Sequence, residues 1–280
     1  MSLPTFVAAG ATAEGTGAVS PALPASLAVD DILLLLAESA SGEVVTIADA
    51  NGGTWAEVPF SPKNATGTRL TVYWSRYNGT QGAPTTNAPG DHILCAITAW
   101  RGCITVDDPW DVTNGGVDDV GGDVSIPGNT TTVGDCLVVV IVAFAQHVTD
   151  MVWTNIDLSN LTRHVDIETA LGNDGAIECV SGGKVTRGEY GATEGDGESI
   201  PGDETKAFVT IALRPPEVPT GHVGRPRKRV KRPPTFQPQK QRPAFRWVSP
   251  PLIDPTPKPK PPPEGRDFDD FIPVIVNLFP

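Results

Sequence analysis

The chain has 280 residues, with 21 Lys+Arg against 33 Asp+Glu, a formal net charge of −12, and it carries 29 glycines, 28 prolines and four cysteines. Val, Thr and Gly recur while Leu, Glu, Lys and Ala at helical spacing are missing, a balance that points to an all-β protein. No run of 18 apolar residues offers a transmembrane helix, and the start shows neither the charged nor the apolar region of a signal peptide, so secretory export is not expected. Cys95, Cys103, Cys136 and Cys179 have no CxxC or Cys/His spacing for zinc, and they read as reduced thiols of a protein made in a cytosol.

Phe6 to Pro24 is rich in small residues and reads as an extended lead into the fold. Ile32 to Ala37 is an apolar run of the length of a strand buried on both faces. Val44 to Ile47 follows, and Asp49-Ala50-Asn51-Gly52-Gly53 reverses the chain into Trp55 to Val58, because Asn and Gly tolerate positive φ. From Arg69 to Tyr77 the pattern alternates: Leu70, Val72 and Trp74 point one way, Thr71, Tyr73 and Ser75 the other. Further strands are expected at His92–Trp100, Val124–Pro127, Cys136–Phe144, Ala176–Val180 and Ala207–Leu213. Asn114-Gly115-Gly116, Gly121-Gly122 and Gly182-Gly183 read as turns between them. Leu158 to Leu171 fits a weak helix or a strand equally well. The sum is an antiparallel β-sandwich, jelly-roll or immunoglobulin-like, over residues 1–215.

At Pro215-Pro216 the character of the chain changes. Residues 1–215 carry 9 Lys+Arg against 27 Asp+Glu, a net of −18, and residues 216–280 carry 12 against 6, a net of +6. The second part holds 17 of the 28 prolines, too many for a core of its own. It divides into a basic hinge (216–232), a Pro-rich extended spacer (233–267) favouring polyproline II, and an apolar C-terminal docking segment (268–280). The hinge offers Arg225, Arg227, Lys228, Arg229, Lys231 and Arg232 to an acidic surface. Phe236, Phe245, Trp247, Phe271, Ile272, Val274 and Ile275 are the candidate anchors that bury against partners. An apolar end on a solvated arm points to docking, and Val274-Ile275-Val276 suits strand addition to a sheet edge.

The body also resembles a domain that recurs in tailed-bacteriophage genomes and is labelled a virion or tail-associated structural protein. The resemblance is carried in order by Pro4 to Gly10, Gly17 to Pro24, Asp31 to Leu35, Trp55 to Pro59, Thr68 to Trp74 and Pro89 to His92. Trp100 to Cys103, Asp107 to Thr113 and Ile211 to Pro215 complete it. It covers about residues 4–215 and none of the arm. It implies a β-sandwich exposed on, or built into, a phage particle, and it brings no catalytic residues. The arm departs from the family pattern, in which the chain ends near the last strand.

Asp107-Asp108, Asp118-Asp119 and the Glu194, Asp196, Glu198 cluster read as solvated acidic loops rather than a glycosidase pair or a calcium loop. His92, His147, His164 and His222 have no second histidine within four residues, no Gly-x-Ser-x-Gly elbow and no zinc motif. Gly182-Gly183-Lys184 is no phosphate loop. Five of the six tryptophans lie in the body at strand or strand-end positions, which suits core packing better than sugar stacking. Interleaved prolines and the lack of a recognition module argue against sequence-specific nucleic-acid binding by the hinge. Taken with what the resemblance implies, the expectation is a non-enzymatic virion protein without metal, cofactor or membrane anchor, made in the host bacterial cytoplasm. It would serve as a capsid decoration or cement protein, or as a tail or neck component, held by its arm to other virion proteins and to copies of itself. The alternative is a host-surface module that binds glycan through the body loops.

Overall fold

A computed structural model describes residues 2–119, 123–148, 151–196 and 205–217. All candidate partner-binding residues, Arg225 to Arg232, Phe236, Phe245, Trp247, Phe271, Ile272, Val274 and Ile275, lie outside the described residues, as do the hinge, spacer and docking segment apart from residues 216 and 217.

The described residues form strands and no helix. The first half contributes β1 (Thr5–Ala9), β2 (Ala13–Gly15), β3 (Ile32–Ala40), β4 (Ile47–Asp49), β5 (Ala56–Glu57), β6 (Lys63–Asn64), β7 (Thr68–Arg76), β8 (Thr85–Thr86) and β9 (Ile93–Arg101). In the second half come β10 (Trp110–Asp118), β11 (Val124–Ile126), β12 (Asn129–Thr131), β13 (Cys136–Phe144), β14 (Val152–Thr154) and β15 (Ser159–Thr169). The last are β16 (Gly175–Lys184), β17 (Gly188–Tyr190), β18 (Thr193–Asp196) and β19 (Lys206–Leu213).

Two antiparallel sheets pack face to face as a β-sandwich. One runs β1-β9-β3-β7-β5, with β2 continuing the β1 edge on β9 and β6 continuing the β5 edge on β7. The other runs β10-β19-β13-β16-β15. Alternate residues of each sheet meet in the middle: Ile32, Leu34, Leu36, Leu70, Val72 and Trp100 from the first, Val139, Ile141, Ile177, Val209 and Ile211 from the second. The outer faces are apolar too. Leu33, Leu35, Ile93 and Ile97 are covered by Val19, Val45 and the half-buried Leu23 and Leu27, while Val138, Val140, Val142 and Phe144 are covered by Val124, Ile126, Met151 and Leu158. Loops and small sheets thus roof both outer surfaces. That roof is why Ile32 to Ala37 of β3 and Cys136–Phe144 of β13 read as unbroken apolar runs: a strand covered on both faces need not alternate. Fully burying each such Leu, Ile or Val contributes about 1.5–3 kcal/mol.

Each half of the chain builds one sheet, and both follow the same plan. Counting β1/β2 and β5/β6 as single positions, each sheet places its strands in the order first, fifth, second, fourth, third. The registers match as well. Ile32 faces Trp100 in one sheet as Leu137 faces Leu213 in the other, and Leu36 faces Val72 as Ile141 faces Cys179. A bulge follows Phe6, opposite Trp100, and another follows Trp110, opposite Leu213. The sequence echoes this in Ala99-Trp100-Arg101 and Ala212-Leu213-Arg214, and in Asp31 and Asp135 just ahead of β3 and β13. In the first half Arg101 clamps the buried Asp31 through Nε at 2.8 Å and Nη2 at 2.7 Å. The repeats are locked to each other by their first-strand aromatics: Phe6 stacks on His164 of β15 at 4.0 Å, and Trp110 meets Trp74 of β7 edge-on at 5.2 Å.

Two expectations are corrected, and an open one is decided. Gly182-Gly183 is not a turn but lies within β16, paired with Val138 and Leu137. A side chain at Gly182 would meet Leu158 Cβ at 2.8 Å, so glycine lets the roof approach the sheet. Asn114-Gly115-Gly116 likewise sits inside β10, where a Cβ on Gly116 would strike the Phe208 ring at 2.7 Å. Ser159–Thr169 is a strand rather than a helix, its 11 residues forming a sheet edge. The Asn51-Gly52 reversal is as expected, with φ of 44° and 79°.

Candidate functional site

The most concentrated chemistry in the body sits at one end of the sandwich. Glu38 on β3 and His92 at the head of β9 are both 0% exposed, with His92 Nε2 2.8 Å from Glu38 Oε2. Thr68 on β7 donates to Glu38 Oε1 at 2.9 Å. The other imidazole nitrogen, Nδ1, lies 3.1 Å from Asp91 Oδ2, which also accepts the Asn173 backbone N–H at 2.8 Å. Asn173 belongs to the β15–β16 turn, so the network ties one sheet to a hairpin of the other. Gly175 makes room for it: a Cβ there would lie 2.5 Å from Glu38 Oε2. Burial alone would lower the His92 pKa, but the hydrogen bond and charge of Glu38, helped by Asp91, push it up to about 9. Burial raises Glu38 as well, so the pair keeps a shared proton through neutral pH. Asp91 is held below the usual carboxylate value by its bond to His92. Enclosed on every side, the pair is built to hold the fold rather than to meet a substrate.

A second buried acid, Glu178 on β16, accepts Trp153 Nε1 at 2.5 Å through Oε2. Its Oε1 has no hydrogen-bond partner, and Arg163 Nη1 stands 3.7 Å away. Burial pushes this carboxyl up to about 7. A group with its folded pKa raised from 4.5 loses stabilising influence as pH climbs from about 4.5 to about 7. Glu178→Gln is therefore expected to leave stability nearly unchanged at pH 5 and to raise the thermal midpoint above pH 7, as read by a melting series at both values.

His164 Nε2 lies 2.8 Å from Ser181 Oγ, the nearest approach to a nucleophile–base pair. Burial lowers this imidazole to about 4, Phe6 and Trp100 pack over it, and none of its hydrogen bonds or ion pairs brings a carboxylate to orient it. The pair is a packed polar contact. His147 pairs with Glu168 on β15. His222 lies outside the described residues.

Three of the acids in these stretches bond within the fold: Asp118 lies 3.4 Å from the buried Lys206, Asp119 accepts the Thr66 N–H, and Glu194 accepts Ser125 Oγ, while Glu198 lies outside the described residues. Among the described residues no group of three His, Cys, Asp or Glu is placed to hold a metal ion, and the four thiols are buried and unpaired. Trp100 is fully buried and Trp55, Trp74, Trp110 and Trp153 are half-buried, packed against the apolar clusters. They serve as core and anchor residues, as their strand positions suggested.

What the body shows to the outside is charge and scattered apolar side chains, Val29, Phe60 and Val106 in and near the first repeat among them. Residues 1–101 carry 4 Lys+Arg against 8 Asp+Glu, a net of −4, whereas residues 110–215 carry 5 against 17, a net of −12. The negative charge belongs mainly to the second repeat. There the β14–β15 turn presents Ile156 fully exposed, with Val185 of the β16–β17 turn and Val152 of β14 also exposed. No helix of the described residues is long and apolar enough to cross a membrane. No protein-family model matches the chain, and comparison with characterised proteins and with solved structures returns no match.

Proposed function

We propose that this chain is a non-enzymatic structural protein of a tailed-phage virion, an accessory capsid or a tail/neck component, in which the sandwich is the displayed unit and the arm supplies attachment. The observation that carries the reading is the coincidence of two boundaries. The last strand, β19, ends at Leu213, and within three residues the charge balance turns from acidic to basic and proline takes over. A body roofed on both faces, with its buried acids and His92 and His164 engaged in internal bonds, leaves recognition to its charged surface and to that arm. The resemblance of residues 4–215 to virion proteins supplies the kind of assembly. Basic residues steer the arm to acidic protein surface, polyproline stiffness lowers the entropy lost on ordering, and many copies on a symmetric particle multiply weak contacts.

The test is made on purified particles by quantitative mass spectrometry, followed by a wash from about 50 mM to about 500 mM salt, which shortens the screening length well below the reach of the hinge. The chain is expected at a copy number that matches a symmetric ring or shell and should be released progressively by salt. Particles that lack it would overturn the reading, and a chain that stays bound at every salt concentration would remove the steering role of the hinge.

A further inference from the structure

We propose that the ridge formed by the β14–β15 turn is the docking site for the basic aromatic segment 225–247 of a second copy of this chain. The inference rests on the reading of the arm as an attachment element, and it names the surface that receives it.

The ridge is rigid. Asn155 Nδ2 donates to Gly191 O at 3.1 Å and to Thr193 Oγ1 at 3.0 Å. Asp157 Oδ2 accepts the Gly191 N–H at 2.8 Å, and the Asp157 N–H returns to Asn155 Oδ1 at 2.9 Å. Four hydrogen bonds thus pin a four-residue turn in which Leu158 is buried and the other apolar side chain, Ile156, is 100% exposed. A water-facing isoleucine on a braced turn has no role in the fold of its own body.

Clefts lie on both sides of it. One, of about 290 Å³, is lined by Ile156, Leu158, Val185 and Thr186; the other, of about 260 Å³, by Ile156, Asn155, Ala192 and Glu194. Each has room for a prolyl or aromatic ring. Asp157 borders both clefts, Glu194 one, and Lys184 is the sole cation among the lining residues. The surrounding repeat carries the net of −12.

The occupant is chosen by complementarity. Between Val218 and Ile253 the chain has nine basic residues, no acid, and the rings of Phe236, Phe245 and Trp247 among prolines. Apolar rings in clefts rimmed by carboxylates, with arginines laid across an acidic face, satisfy both halves of an interface: a desolvated anchor and steering charge. Ridge and segment occur on every copy, so each added copy brings a ligand and offers a new site.

Sedimentation of the full chain at low salt tests this. Self-association is expected, and Ile156→Asp should weaken it at least about tenfold, as loss of a central anchor does. Because Ile156 is fully exposed, that variant should melt like the wild type. Trp247→Ala should weaken association similarly, and the double variant should add little to either change, the signature of a shared contact. A full chain that stays monomeric at low salt would overturn the proposal. If Ile156→Asp has no effect while removal of residues 218–280 abolishes association, the arm docks elsewhere: this site falls and the attachment reading stands. Association that persists without residues 218–280 would mean a body-to-body contact and would also overturn it.

Discussion

Replacing His92 with alanine is expected to cost the body about 3–5 kcal/mol of folding stability, the range for removing one member of a buried ion pair. The loss should appear as a lower denaturation midpoint with an unchanged slope. Glu38 would remain 0% exposed, with only Thr68 to satisfy it. It would then take up a proton to avoid an unpaired buried charge. The pH dependence follows from the directions of the shifts. In the wild type His92 has a folded pKa of about 9 against an ordinary 6.5. Its contribution is therefore complete below about pH 6.5 and is lost as pH rises through about 9. Glu38 is also raised, so its influence too declines as pH rises. Asp91 is lowered from 3.8: its contribution is present above that value and is lost as pH falls through its folded pKa. Stability should thus peak in mildly acidic solution and fall toward pH 9. In His92→Ala the unpartnered Glu38 should make the deficit larger at pH 7 than at pH 5. Replacing both residues with leucine should recover much of the loss. A single variant within about 0.5 kcal/mol of the wild type would show that the pair does not hold this end of the sandwich.

The sheet architecture was legible where chemistry is local. Arg69 to Tyr77 alternates because Leu70 and Val72 enter the sandwich core while Tyr73 joins the outer cluster. Asn51-Gly52 reverses the chain because both accept positive φ. Glycine misled where it serves packing rather than turning: Gly116 and Gly182 sit in strands so that Phe208 and Leu158 can close on them. The Glu38–His92 pair was missed because its members are 54 residues apart. The available signal was an acid inside β3 and a histidine heading β9, each in an otherwise apolar run, since a buried charge implies a partner. The two-fold repeat of strand order was also hidden. It lives in register and bulge position, shared by Phe6 and Trp110, while the connecting loops of the halves differ in length and composition. The Ile156 ridge could not be seen at all in one dimension, because an apolar residue beside Asp157 and Leu158 reads like any strand end. The arm was legible as composition alone, through its prolines and its reversal of charge.

The largest functional effect is expected from removing residues 218–280. The last strand of the body ends at Leu213, and its three apolar clusters are formed wholly by residues before 215. Truncation should therefore leave a folded sandwich with an unaltered melting midpoint. It removes a segment of net charge +7 and its rings, and with them the contacts that act together on a multi-copy surface. Loss of such multivalency lowers apparent affinity by about 10²–10⁴-fold, enough to take incorporation below detection at cellular concentrations.

The most direct measurement is incorporation of this truncated chain into particles, in competition with the full chain during assembly. Full-length protein is expected in the purified particles and the truncated body in the supernatant, still folded. Equal incorporation of the two would contradict attachment through the arm.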